Sequence, residues 1–211
     1  MEAIKFTFGS LSLTDEVINR LADLGYTPES LKKEIKAHEL TNGSESPALY
    51  CGTYGKYNSG SLCGMWVNLS TFESYEDFRD FCLAIHADEE DPEIMYQDQK
   101  NIHYSLYRES MGEEEFNNIL KYCELCDEYC VSAVNDFLEW FTPGYLYRMP
   151  DIYVGVYDSE EDFARELVNE CYDLDNMMGS LACYFDYEAF ARDLFINDYC
   201  FGSHGTVFLR G

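Results

Sequence analysis

Along two stretches of this chain, apolar residues recur every three or four positions and acidic residues fill the opposite side. Over 73–87, Tyr75, Phe78, Phe81, Cys82 and Ile85 share one face of a helix, and Glu73, Glu76, Asp77 and Asp80 share the other. Over 159–172, Phe163, Ala164, Leu167, Val168 and Cys171 turn inward, while Asp162, Glu166, Glu170 and Asp173 line the outer side. A third apolar pattern, Val17, Ile18, Leu21 and Leu24, stops at Gly25, and a short helix is expected near Pro28–Leu40. Residues 113–141 are mostly helical, with Phe116, Ile119, Leu120 and Cys123 on one face, and Pro143-Gly144 closes that region. A last helix spans 186–197.

Between the helices lie short strand-like runs. Ala48–Tyr54 and Leu62–Val67 flank a turn at Asn58-Ser59-Gly60, which predicts a β-hairpin. Ile152–Tyr157 is a further strand, and Gly202–Gly205 introduces a short terminal one. Tyr50-x-Gly52-x-Tyr54 leads to Glu76-Asp77-Phe78, and Tyr153-x-Gly155-x-Tyr157 leads to Glu161-Asp162-Phe163. This is one supersecondary unit used twice at different spacings. The fold class is therefore α+β, with short antiparallel sheets packed against acidic amphipathic helices. Four segments are expected: 1–46, a helical N-terminal extension ending in the linker Thr41–Pro47; 47–108, hairpin plus helix; 109–148, mainly helical; and 149–211, strand plus helix.

Charge changes the picture. The chain holds 40 Asp and Glu against 14 Lys and Arg, a formal net charge of −26 over 211 residues, yet it is 46% hydrophobic and 16% aromatic. Acidic disordered tails lack that apolar mass, so this chain folds and leaves its charge outside. The charge far exceeds the magnitude of about 2–8 that keeps a small domain soluble. A pI near 4.2 argues against binding nucleic acid or an anionic membrane, and the expected partner is basic. Residues 1–46 carry 5 of the basic and 8 of the acidic residues, leaving 9 and 32 for 47–211, so the acidity belongs to the body of the chain. No secretory signal or apolar run of transmembrane length is visible, and a cytoplasmic location is expected.

Motifs for chemistry are lacking. With 40 acids, carboxylate pairs select no glycosidase-like site. Cys123, Cys126 and Cys130 would share a helix face, but no fourth ligand stands at zinc-site spacing, so they read as packing thiols. His38, His86, His103 and His204 form no ligand pattern. Asp173-Leu-Asp175-Asn-Met-Met-Gly179 begins like a calcium loop, but its glycine is one place late and Tyr184 stands where the closing glutamate belongs. No phosphate-binding loop and no nucleophile elbow occur. No catalysis, metal or cofactor is expected.

What remains is rows of fixed carboxylates, which imitate a phosphate backbone. At the DNA spacing of one charge per ~1.7 Å, the net charge corresponds to roughly 44 Å of duplex. The segments Tyr50–Leu69, Asp91–Asp98, Tyr153–Ala164 and Tyr184–Phe195 stand in the order found in the ArdA antirestriction proteins, and together they closely resemble that family. The resemblance spans about 48–201. It implies a non-catalytic mimic of double-stranded DNA, carried by mobile elements, built as an elongated homodimer of small domains. Such a protein occupies the DNA groove of type I restriction–modification enzymes. On that reading the mimic acids are Glu73, Glu76, Asp77, Asp80, Asp88, Glu89, Glu90, Asp91, Glu114, Glu115, Asp158, Glu161, Asp162, Glu166, Glu170 and Asp173. The family's antirestriction motif maps to about 181–194 and is associated with the dimer contact, which implies interface roles for Leu181, Tyr184, Phe185, Phe190 and Leu194. Residues 1–46 precede the usual family start. The alternative is an acidic binding module for another basic, DNA-binding protein; a hydrolase using carboxylates or metal is a third reading.

Overall fold

Hydroxyl and carboxylate side chains open most of the helices. In the computed structural model, which describes residues 2–210, Thr14 accepts a hydrogen bond from the Val17 amide at the start of α1 (Asp15–Asp23). Thr27 and Ser30 cap each other at the start of α2 (Pro28–His38), where Pro28 fits the first turn because no amide is needed there. Both helices follow a tight hairpin, β1 (Ala3–Phe6) and β2 (Gly9–Ser12). That hairpin was not expected in a segment read as helical; four-residue strands are too short to set up a clear alternation.

The remaining elements in chain order are β3 (Ala48–Thr53), α3 (Tyr54–Asn58), β4 (Met65–Asn68), α4 (Tyr75–Ala84), β5 (Ile94–Lys100), α5 (Glu113–Tyr129), α6 (Val131–Trp140), α7 (Met149–Ile152), β6 (Tyr153–Val156), α8 (Glu160–Cys171), α9 (Leu174–Met178), α10 (Tyr187–Asn197), β7 (Tyr199–Phe201) and β8 (Thr206–Leu209). All strand pairs are antiparallel, in sheets ordered β1-β2, β4-β3-β5 and β6-β8-β7. The α+β class is thus established. Packing divides the chain into two compact units, Met1–Leu120 and Lys121–Gly211, with the division inside α5.

In the first unit, β3 is the central strand and is buried at all six positions. The N-terminal segment attaches to the sheet by its backbone. Leu40 N donates to Trp66 O at 3.0 Å, and isolated bridges join Glu39 to Val67 and Phe8 to Gly64. Gly64 itself packs tightly on β3, because a Cβ there would lie 2.4 Å from the Cys51 carbonyl oxygen. Residues 2–46 are therefore an integral part of this unit, covering the exposed edge of β4. Behind the sheet, Phe78 stacks on Phe116 and Tyr96 at ring distances of 5.2 and 5.7 Å.

The second unit centres on Phe163, Phe195 and Val207, with Leu167, Leu194 and Tyr199 packed around them. The helical stretch 113–141 is broken at Cys130, which has φ 72° and leads into α6. Cys130 is therefore exposed and outside the helical face shared by Cys123 and Cys126.

Each unit carries one of the two tryptophans, Trp66 and Trp140, so its unfolding can be followed separately. Phe78→Ala removes a fully buried ring and should destabilise the first unit by about 3–5 kcal/mol. Urea unfolding of a Trp140→Phe background, read by Trp66 fluorescence, measures it; an unchanged midpoint would contradict this core assignment.

Candidate functional site

The acidic helices begin alike. In the first unit Ser74 accepts from the Asp77 amide at 3.1 Å and donates its hydroxyl to the Asp77 carboxylate at 2.7 Å. In the second unit Ser159 and Asp162 repeat both bonds at the same distances. The shared pattern Ser-x-Glu-Asp-Phe at 74–78 and 159–163 explains this. Serine caps, acids meet the positive end of the helix, and phenylalanine enters the core. Carboxylates crowded into the first turn are thereby stabilised rather than merely repelled.

Of the sixteen acids named from the sequence, twelve are exposed; Asp80, Glu89, Glu115 and Glu161 are half-buried. They fall into two kinds. Some are already engaged: Asp77 and Asp162 by their caps, Asp80 by Arg79 at 2.8 Å, Glu161 by Arg165 and Glu115 by the Gly112 amide. Asp173 caps α9, and Glu166 accepts from the Tyr157 hydroxyl. Glu73, Glu90, Asp91, Glu114, Asp158 and Glu170 have no ion-pair partner among the described residues, and Glu76 lies only within 3.8 Å of Arg79. The free acids form the outward charge in each unit.

One cluster that the sequence reading missed fixes the loop 86–91. Lys56 Nζ donates to Asp88 at 2.8 Å and to His86 Nδ1 at 2.8 Å, and lies 3.5 Å from Glu89. Because an ammonium only donates, Nδ1 must accept, which leaves the ring proton on Nε2 for the Cys51 carbonyl oxygen at 3.2 Å. Thr53 donates to Glu89 at 2.6 Å, and Arg20 donates to the Ala87 carbonyl at 3.0 Å. Thr53 also caps α3 and thereby positions Lys56. The sequence reading did not pick out Thr53 or Lys56, and the contacts to His86 and the loop acids span about thirty residues.

A second unforeseen cluster secures the β7–β8 turn. The fully buried Asp136 accepts from His204 Nδ1 at 2.7 Å and from the backbone amides of His204 and Thr206. Burial alone would raise its pKa, but the bonds from His204 and Thr206 outweigh burial and hold it below the ordinary carboxylate range. Glu139 grips Ser203 through its amide and hydroxyl. Asp136, Glu139 and His204 lie close enough to share a cation. Asp136 is already saturated by donors, so the arrangement reads as a structural clasp. Cys123, pushed up to about 12 by burial, and Cys126, raised for the same first reason, behave as packing thiols.

Of the residues assigned to a dimer contact, Leu181 and Tyr184 are 59% and 81% exposed. Phe185 packs its ring on Phe190 at 5.5 Å, and Leu194 packs on the core of its own unit. Around them Tyr172, Met177 and Met178 are also exposed, an apolar run unusual for a solvated surface.

A family model described as Antirestriction protein (ArdA) matches residues 49–208. The chain belongs to this family. No curated protein matches it. The family region runs from β3 to β8 and includes both acidic helices and both serine caps, whereas β1, β2, α1 and α2 precede it. Among the described residues, no helix is long and apolar enough to cross a membrane.

His86 gives the loop cluster a pH signature. Burial first, then the Lys56 ammonium, pushes its pKa down to about 4, against about 6.5 in an unfolded chain. Between these values the unfolded chain binds the proton and the folded chain does not. The stabilisation is complete above about pH 6.5 and is lost as pH falls toward 4. The first unit should lose roughly 2 kcal/mol from this group between pH 7 and pH 5, read from the Trp66 unfolding midpoint. His86→Gln should flatten that slope; an equal slope in the variant would show that the histidine is not its source.

Proposed function

We infer that this chain, as a member of the antirestriction family, acts on restriction enzymes. We propose that it acts without catalysis, as a homodimer that presents carboxylates in place of DNA phosphates to the DNA groove of a type I restriction–modification enzyme. The observation that carries this reading is the repeated Ser-capped acidic helix. The caps hold each helix start, and the buried faces of Phe78/Phe81 and Phe163/Val168 hold each row against its unit. Charge fixed before binding needs no ordering at the moment of contact. The free acids Glu73, Glu90, Asp91, Glu114, Asp158 and Glu170 supply most of the field, and those tied to Lys56, Arg79 or Arg165 supply less. The exposed apolar run from Tyr172 to Tyr184 supports a second copy as its cover, since a chain with this net charge gains little else from displaying it.

Competition binding tests the mimicry. The protein is titrated against a type I methyltransferase core bound to labelled cognate duplex. Displacement should weaken as salt rises. Single changes such as Glu90→Gln should weaken displacement only about two-fold, and the combination of Glu73→Gln, Glu90→Gln, Asp91→Asn and Glu114→Gln about ten-fold or more, because exposed charges each contribute little. Loss of all displacement by one substitution would defeat the distributed field. No displacement by folded protein would favour a different basic partner.

Leu181→Asp with Tyr184→Asp places charge on the exposed apolar run without opening a core. Light scattering should then give the monomer mass, with the circular dichroism spectrum unchanged; a persistent dimer would move the interface elsewhere.

A further inference from the structure

The first unit contains a cavity of about 470 Å³, within the usual range of ~300–1,000 Å³ for ligand clefts. One side is built by residues that precede the family region, Phe8, Lys36 and Glu39 with the loop 41–44. The other is built by Trp66 and Lys100 of the sheet. Trp66 pairs with Tyr50 across β3 and β4, and Lys100 pairs with Ala48 across β3 and β5. Ala48 and Tyr50 are two residues apart, so Trp66 and Lys100 stand on the same sheet face. Lys100 Nζ lies 4.3 Å from the centre of the Trp66 ring.

The charge of this cavity runs against the rest of the chain. Lys32, Lys56, Arg79, Lys121 and Arg165 each pair with a carboxylate. Lys36 and Lys100, like several other cations, have no carboxylate partner among the described residues, but these two converge on one cavity. The one carboxylate in the lining, Glu39, is occupied by the amide and hydroxyl of Thr7. Two ammonium groups therefore border the cavity without a carboxylate partner, Lys100 resting on the Trp66 ring.

Its aromatic wall is also held in place. Phe8 is 52% exposed and meets Tyr50 edge-on at 5.7 Å; Tyr50 meets Trp66 edge-on at 5.4 Å. The Phe8–Gly64 bridge and the Leu40–Trp66 backbone bond fix both sides to β4. We propose that this cavity binds a small organic anion carrying a planar aromatic ring. The ring packs against Phe8 beside the Lys100–Trp66 pair, and Lys36 and Lys100 take its carboxylate, sulfonate or phosphate. The surrounding acidic surface repels such an anion everywhere else, which makes the site selective. This role is independent of the DNA-mimic reading, since it uses opposite charge and residues outside the acid rows.

The test uses full-length protein and two probes, 1-naphthoate and its uncharged analogue 1-naphthalenemethanol. Calorimetry is combined with Trp66 emission in a Trp140→Phe background. Naphthoate should bind saturably at one per chain and shift Trp66 emission, with the alcohol weaker by about ten-fold or more. Lys36→Gln and Lys100→Gln should each weaken naphthoate by a similar factor with the urea midpoint unchanged, and Lys36→Arg should retain binding. Absence of saturable naphthoate binding overturns the proposal. So does binding that is unaffected by the two glutamine variants, or equal affinity for the alcohol.

Discussion

Everything in this molecule is arranged around the self-repulsion of a folded chain with a net charge of −26. Apolar burial alone cannot choose where forty carboxylates go. The structure places them where a local positive potential exists. Acids fill the first turns of α4, α5 and α8, where unpaired amides and the helix dipole favour negative charge. Serine caps fix the start of α4 and α8, so the acidic face and the aromatic face are set by one short motif. Where acids leave the helix, at Asp88 and Glu89, a single lysine gathers two of them and leans on a neutral histidine.

That arrangement separates acids that stabilise the fold from acids that project charge. A carboxylate engaged by a cap or a cation contributes to stability and presents a reduced field. A carboxylate free of both contributes mainly to the field and slightly opposes folding. The two kinds stand side by side on the same helices, so the count of acidic residues overstates the charge offered to a partner. Membership of the antirestriction family and the proposed DNA mimicry both fit a surface whose strength is collective.

The segment ahead of the family region has a different character. It covers the edge of β4, stacks His38 on Phe72 at 3.9 Å between the rings, and carries an Arg20 bond to the acidic loop. With Trp66 and Lys100 it lines a cavity that brings two lysines to aromatic rings. The segment ahead of the matched region thus finishes the sheet and supplies Lys36 to the cavity.

The local order of this protein was legible in its sequence. The 3.6-residue stripes at 75–85 and 163–171 gave helices within a few residues of α4 and α8, and the strand runs gave β3, β4 and β6, because periodicity and capping act over a single turn or pleat. The four ordered segments also carried the family. Strands β1, β2, β5 and β7 were missed, since short or partly polar strands form only when a neighbour pairs with them. Charge patterning named the acids but could not sort them, because the cations and amides that engage Asp88, Glu89 and Asp136 come from residues roughly thirty to seventy positions away. Whether residues 1–46 stood apart or joined the sheet was likewise beyond a linker-like composition at 41–47. Backbone bonds between Leu40 and Trp66 decided it, and only tertiary packing brings those two strands of chain together.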